Sequence, residues 1–415
     1  MLAPMTHPPY APGDTLDRAR AMDAQDPLHP LLERFAAPDP TLIYFDGNSL
    51  GRPPRSTAER LVRVVAEEWA GELIAGWDHW MDLPTQVGDA LARDVLGAAD
   101  DEVIVADSTT VNLYRLAAAA LDARPGRGSI LMDAADFPTD RYVLEGLAAS
   151  RGQTIRWLDG DPIEGPGHHA IEAVLDEDVA LVVLSHVNYR SAAIADIAAI
   201  GARARAVGAL TLWDLSHTAG IVPVDLAGIG ADLAVGCTYK YLNAGPGAPA
   251  FQYVRRDLQD VLRTPIQGWL GRRDPFDMGP GWVSASGIRG WLSGTPSLLG
   301  LVAVDEGVRL VAEAGMDRIR TKSEALTAFT VDTVDAWSED LGCRIGSPRD
   351  PARRGGHVSL RHPRARELRD ALAAVGVVAD FRQPDSLRIG LSPITTSFED
   401  VAVGLDRLHG LLAGA

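Results

Sequence analysis

The sequence predicts an α/β protein: a mostly parallel, seven-stranded sheet with helices on both faces, followed by a smaller α+β C-terminal domain. Three observations carry this. From residue 100 to 255, short β-rich apolar runs alternate with helical stretches, the pattern of β-α-β units whose parallel strands need helical crossovers. The chain has 415 residues, long enough for one large and one smaller unit. After residue 300, helix, strand and helix patterns resume. The divisions read as an N-terminal arm and segment packing with the small domain at 1–55, the large domain at 56–298 and the small domain at 299–415.

Taken in order, the first dozen residues read as a loose arm and residues 15–40 as helical, ending near Pro38 and Pro40. Leu42 to Phe45 is a short strand closed by the turn cluster Asp46-Gly47-Asn48-Ser49. Ser56 is placed to cap a helix through about Glu72, with Val62, Val65 and Trp69 spaced for one face. Seven strands follow, at 102–106, 129–132, 154–157, 180–184, 210–213, 233–235 and 249–254. Between them, 111–121, 142–149, 171–175 and 194–207 read as helices. Residues 256–300 are rich in Gly, Pro and Trp, and irregular for too long to be a plain connector; such segments are often functional.

Composition narrows the function. With 39 Lys and Arg against 56 Asp and Glu, the formal net charge is −17. No basic face is visible, which argues against a nucleic-acid partner. Hydrophobic residues make up 46% and charged residues 23%, ordinary for a soluble protein. Cys237 and Cys343 are the only cysteines, so neither a disulfide framework nor a thiolate zinc site is expected, and a reducing cytoplasm is. The Pro-rich start is not a signal peptide, and no run approaches the roughly 18 apolar residues of a membrane span. His168-His169, among Gly and Pro, reads as a solvent loop rather than a metal site.

In open parallel sheets, chemistry lies just beyond the carboxyl ends of the strands. Asp214 ends one apolar run, and Lys240 follows the next within Cys237-Thr238-Tyr239-Lys240-Tyr241. A capping Asp and a surface Lys would explain the two residues separately. The setting of Lys240 argues otherwise: it precedes Gly245-Pro246-Gly247 in a polar, glycine-rich patch after a strand. Pyridoxal phosphate needs a lysine amine to bond its aldehyde and a carboxylate to keep its ring nitrogen protonated, so that the ring accepts electrons. Ser108-Thr109-Thr110, between a strand and a helix start, suits a phosphate, although a plain Ser/Thr cap explains these residue types equally well.

Several motifs resemble those of the kynureninases. The N-terminal run Tyr44-Phe45-Asp46-Gly47-Asn48-Ser49-Leu50-Gly51-Arg52-Pro53 is the most specific, and residues 236–247 are the most extended. Thr109-Thr110-Val111-Asn112-Leu113, Phe137-Pro138-Thr139-Asp140 and Asp214-Leu215-Ser216-His217 also match, so the resemblance spans roughly residues 20–410. It implies a fold type I pyridoxal 5′-phosphate enzyme that hydrolyses the Cβ–Cγ bond of L-kynurenine to anthranilate and L-alanine. By it, Lys240 holds the cofactor and moves protons, Asp214 pairs with the ring nitrogen with Asp140 close by, Phe137 stacks on the ring, and His217 lies near the phenolic oxygen. Thr109, Thr110, Ser185, Tyr239, Trp269 and Thr295 surround the cofactor, with Trp269 and Thr295 reaching in from the second subunit of a homodimer whose active sites lie at the interface. Tyr239 is a candidate acid. Arg388 matches the family's carboxylate-binding arginine, and Asn48 and Ser49 are placed with the substrate. Trp77 and Thr295 align with aryl-contacting positions of the bacterial type, which prefers kynurenine over 3-hydroxykynurenine. In one place the chain departs from the family: Ser191-Ala192 stand where Thr-Gly is usual, and alanine for glycine bears on that loop's backbone geometry. The competing readings are a cysteine desulfurase or aminotransferase of the same superfamily, and a non-catalytic sensor.

Overall fold

Thirteen strands appear in the computed structural model, which describes residues 10–414. Most of the expected N-terminal arm lies outside the described residues. The strands are β1 (Ile43–Tyr44), β2 (Val103–Val105), β3 (Ser129–Asp133), β4 (Thr154–Leu158), β5 (Val179–Ser185), β6 (Leu210–Asp214), β7 (Leu233–Gly236), β8 (Phe251–Val254), β9 (Arg344–Ile345), β10 (His357–Arg361), β11 (Val377–Val378), β12 (Asp380–Arg382) and β13 (Ser386–Gly390).

All seven strands expected between residues 100 and 255 join one sheet, in the order β2-β8-β7-β6-β5-β3-β4. Only β8 runs antiparallel to its neighbours. It follows β7 through residues 237–250, which contain no helix and so no crossover unit to bring the chain back in parallel. Both faces of the sheet are covered, which is why its strands read as nearly continuous apolar runs. Alternate residues feed two cores. Leu131, Val182, Leu184, Trp213 and Phe251 pack with Ile200 and Ala204 of helix Ile197–Ala206 and with Leu301, Val304 and Val308 of helix Leu298–Ala314. On the other face, Ile130, Met132, Val183, Leu212 and Val235 meet helices Thr109–Asp122 and Pro138–Arg151 through Leu113, Leu116, Leu144 and Leu147.

A separate core forms around the antiparallel sheet β12-β13-β10-β9 and helices Met316–Asp335, Ala365–Ala374 and Phe398–Ala413. Ile43 and Phe45 belong to it, because β1 pairs in parallel with β11. The turn after β1 is thereby held against β13, through a bridge between Asp46 and Gly390.

Three local expectations change. The helix expected over 15–40 is Pro12–Asp23 followed by the 3-10 turn His29–Arg34. Pro27 and Pro30 lack amide donors and interrupt it. The helix expected from Ser56 begins at Arg55 after Pro54, with no side-chain cap, and continues through a π turn at Val64–Trp69. Its apolar stripe is exposed: Val62 is 67% and Trp69 55% accessible. His168 begins a short helix, His168–Glu172, on which His169 is fully exposed. Among the described residues, no helix is long and apolar enough to cross a membrane.

Candidate active site

Strands β3, β5, β6 and β7 are parallel, so their carboxyl ends meet at one edge of the sheet. A cavity of about 240 Å³ opens there. Register places Ser185, the last residue of β5, opposite Asp214, the last of β6. Both line the cavity, and so does Lys240, which follows β7. Lysine and aspartate separated by 26 positions thus face one space.

The wall around Asp214 is acidic. Its Oδ1 accepts the Ser216 amide at 2.8 Å. Buried Asp140 has its carboxyl held well above the usual range, first by burial, then by the negative Asp214 and Asp136. In its protonated form Asp140 donates to Asp214. Asp136, just behind them, accepts the Ser185 amide at 3.3 Å, and burial, with Asp133 beside it, pushes its carboxyl up to about 8.

The opposite end of the cavity is the N-terminus of helix Thr109–Asp122. Ser108 caps it by accepting the Val111 amide at 3.3 Å, and Thr109 and Thr110 line the cavity. Free N–H groups and the helix dipole favour an anion at this end. Between the two ends, the Phe137 ring lies 5.9 Å from Lys240 Nζ and packs edge-on against Tyr189. His217 is held far below its ordinary pKa by burial, then by the charges of Lys240 and Arg388, so its imidazole is neutral. The Tyr239 phenol is pushed up by the Cys237 thiol and by burial, and stays protonated.

The separate core around β10 and β13 brings Arg388 to the same cavity. Only 1% of its side chain is exposed. Its guanidinium donates to Tyr189 O at 2.6 Å, to Ser49 Oγ at 3.0 Å and to Asp380 Oδ2 at 2.8 Å. Asn48, from the turn after β1, also lines the cavity and is fully buried, yet neither atom of its amide has a partner in the chain. Nor has His217 Nδ1. Buried polar groups left open in this way call for a ligand or water.

The structure brings Asn48, Ser49, Thr109, Thr110, Phe137, Asp140, Ser185, Asp214, His217, Tyr239, Lys240 and Arg388 together around one cavity. Three expected residues are elsewhere. Trp77 and Thr295 line a separate apolar hollow of about 520 Å³ with Trp69, Leu73 and Ile74. Trp269 packs on the sheet's helical face, 6.1 Å from Phe276. Within one chain these three do not reach the cavity. Sequence reasoning missed Arg382 and Tyr189, which line it, and Asp136. Arg382 stands two positions after Asp380 on β12, a spacing that puts both on one face of a strand; this was the available signal.

Among the described residues, one group has metal-ligand spacing: Asp23, Asp26 and His29. Its capacity is spent. Both Asp23 oxygens accept amides of helix Phe398–Ala413 at 2.8 Å, and the Lys322 ammonium sits 2.6 Å from Asp26.

Over 406 residues the chain is 42% identical to a kynureninase of Burkholderia mallei (strain SAVP1), covering 96% of this chain and 95% of that one. The chain belongs to the kynureninase family. A kynureninase of Pseudomonas fluorescens is 41% identical over 389 residues, 92% of this chain and 91% of that one. Residues 319–408 match the model of the kynureninase C-terminal domain. In three dimensions the chain is similar to the apo cysteine desulfurase of Thermococcus onnurineus NA1, with a TM-score of 0.80, 19% identity and coverage of 90% and 95%. It is also similar to a C-DES mutant with glycine covalently linked to the PLP cofactor, with a TM-score of 0.77, 18% identity and coverage of 88% and 96%. These two likenesses concern the fold. A desulfurase needs a mobile catalytic cysteine, and both cysteines of this kynureninase-family chain are buried. Burial raises both thiols, that of Cys343 to about 11.

The departure from the kynureninase pattern at Ser191-Ala192 has a visible cost. Ala192 takes φ 63°, the left-handed region that glycine fills without strain. The loop keeps its course because Asn188 Oδ1 accepts the amides of Arg190 at 2.9 Å and Ser191 at 3.1 Å. That course matters to the site, since this loop supplies the Tyr189 carbonyl that Arg388 binds.

Proposed function

We propose that this chain is a pyridoxal phosphate-dependent hydrolase that cleaves the Cβ–Cγ bond of L-kynurenine to anthranilate and L-alanine, with 3-hydroxykynurenine the poorer substrate. One observation carries the reading: Lys240, Asp214 and Arg388 line a single cavity, with a helix N-terminus at its far end. The residues present fit the cofactor, and the open polar atoms of Asn48 and His217 await partners. When bound, the cofactor supplies an aldehyde for amines and a ring that accepts electrons from the α-carbon.

The position of each residue supports a role in this reading. Thr109, Thr110 and the amides beside them would hold the phosphate. Asp214, with Asp140 protonated against it, would keep a proton on the ring nitrogen. Phe137, Ser185 and neutral His217 would hold the ring. Lys240 would be the base that takes the proton from the substrate's α-carbon and the acid that returns one after the carbon–carbon bond has broken. Arg388 receives the α-carboxylate in a charge-assisted pair, with Ser49 and Asn48 beside it. Water would supply the hydroxyl that Cγ gains as the carbon–carbon bond breaks, and Tyr239, protonated near the cavity floor, would give Cβ its proton.

A second copy of the chain completes the site in this reading. The exposed apolar face at Trp69, Leu73 and Ile74 adjoins Trp77 and Thr295, and a patch of this kind marks an association surface. Across a homodimer interface, Trp77, Trp269 and Thr295 would then serve the partner's cavity, the first and last against the aryl ring.

The test is direct. Purified protein with pyridoxal phosphate and kynurenine should release anthranilate, read by fluorescence, with alanine in equal amount. Keto-acid-dependent loss of the amino group would make it an aminotransferase. A cofactor absorbance band with no turnover of any β-acyl amino acid would make it a sensor.

A further inference from the structure

Asp107 holds a left-handed backbone, φ 54°, directly before Ser108, Thr109 and Thr110. Such a conformation costs a non-glycine residue on the order of 1 kcal/mol and persists only where its surroundings enforce it. Here the surroundings are specific. The Asp107 carbonyl accepts the Ala250 amide at 2.9 Å. Its carboxylate is not part of the cavity wall but meets Arg115 Nη1 at 2.9 Å and Ser293 Oγ at 2.9 and 3.0 Å.

Arg115 lies within helix Thr109–Asp122 and is wholly buried. Its remaining donors go to Thr264 Oγ1, at 3.3 Å, and to the Trp291 carbonyl. Burying a guanidinium is expensive unless it is fully paired, and none of the roles assigned above uses this one. Thr264, Trp291 and Ser293 belong to the segment 264–295 that also carries Trp269 and Thr295. The two limbs of that segment run in backbone contact. The Leu270 amide donates to the Ser293 carbonyl at 3.2 Å. A Cβ on Gly268 would lie 2.0 Å from that same oxygen, so only glycine permits the approach.

We propose that Arg115, Asp107 and Ser293 are positioning residues that couple the phosphate end of the cavity to the segment carrying Trp269 and Thr295. One linkage sets the backbone angle that presents Thr109 and Thr110, and the same linkage fixes the limbs facing the second copy. The proposal rests on the reading of Thr109 and Thr110 as the phosphate cradle and of this segment as facing a partner subunit. Coupling between sites is reciprocal: binding of the cofactor's phosphate tightens self-association, and self-association tightens the cofactor.

The experiment compares wild type, Ser293→Ala, Ser293→Thr and Asp107→Asn, the last able to keep the left-handed angle. Affinity for pyridoxal phosphate and for pyridoxal is read by absorbance, and dimer dissociation by dilution with and without pyridoxal phosphate. The melting temperature of each apo-protein controls for folding. Ser293→Ala and Asp107→Asn should lose roughly tenfold in pyridoxal phosphate affinity, keep their affinity for pyridoxal, and show a smaller effect of the cofactor on dissociation. Ser293→Thr, which keeps the hydroxyl, should restore both. Equal losses for the two compounds, or wild-type behaviour in both variants, would overturn the coupling while leaving the enzyme reading intact. A wild type that binds no pyridoxal phosphate overturns both, and a wild type that stays monomeric overturns the coupling and the second-copy reading.

Discussion

Two recesses of this molecule are built from opposite materials. The cavity at the strand ends is walled by Lys240, Arg382, Arg388, Asp140, Asp214 and His217, all of them ionisable side chains. The hollow beside Trp69 is more than twice as large, about 520 against 240 Å³, and no ionisable side chain lines it. Charged groups work when fixed dipoles and burial pre-organise them, and one chain suffices for that. Apolar side chains gain only when something covers them, and Ile74, 80% exposed, has nothing over it in one chain. The contrast is that one chain gathers the groups proposed for the chemistry, whereas Trp77 and Thr295, proposed to select the substrate, line an exposed apolar surface.

The contrast can be broken most severely at Asp214. Asp214→Asn should lower kcat roughly 100- to 1000-fold, the scale of a lost electrostatic stabiliser, with the melting temperature nearly unchanged. A fully active variant would remove Asp214 from the chemistry. The hollow is challenged by Ile74→Lys. If a second copy buries this side chain, self-association should weaken by at least roughly 10- to 150-fold, the equivalent of one buried aliphatic residue, since both copies carry the change. Sedimentation at several concentrations measures this, and an unchanged dimer would place the interface elsewhere.

Asp136 sharpens the account of the acidic wall. Its carboxyl titrates near 8 in the fold against 3.8 ordinarily, so the folded state binds this proton more tightly than the unfolded one. The stability it lends is fully present below its ordinary pKa and is lost as pH rises through about 8. Asp136→Asn keeps the shape without titrating. Its stability relative to wild type, from urea unfolding of the apo-protein, should therefore rise from about pH 4 to about pH 8; parallel curves would show that Asp136 is ionised throughout. The smallest effect is expected at Ala192→Gly, which relieves the left-handed strain but gains chain entropy on unfolding, for a net change of at most about 1 kcal/mol.

What could be read from the sequence was what neighbouring residues encode. The strands of the large sheet announced themselves because each is an apolar run stopped by a polar turn, and Asp214 and Lys240 stood out because they follow such stops. What could not be read arises through space. Asp23, at the end of its own helix, accepts amides at the start of another 375 residues later, a contact that no local pattern marks. The stripe Val62, Val65, Trp69 has helical spacing, but periodicity does not say whether a face is covered, and in this chain it is exposed. Asp136 owes its raised pKa to burial and to Asp133 and Asp214, and Arg382 reaches the cavity only through the pairing of β12 with β13.

The burial of the two cysteines gives experimenters something practical. Cys237 is held under the cavity floor by Ser216, and Cys343 sits in the separate core around β10 and β13. A thiol-specific label can react with either only when its surroundings open. Labelling rates at the two positions therefore time the opening of each region independently, in the unmodified protein and without engineering a probe.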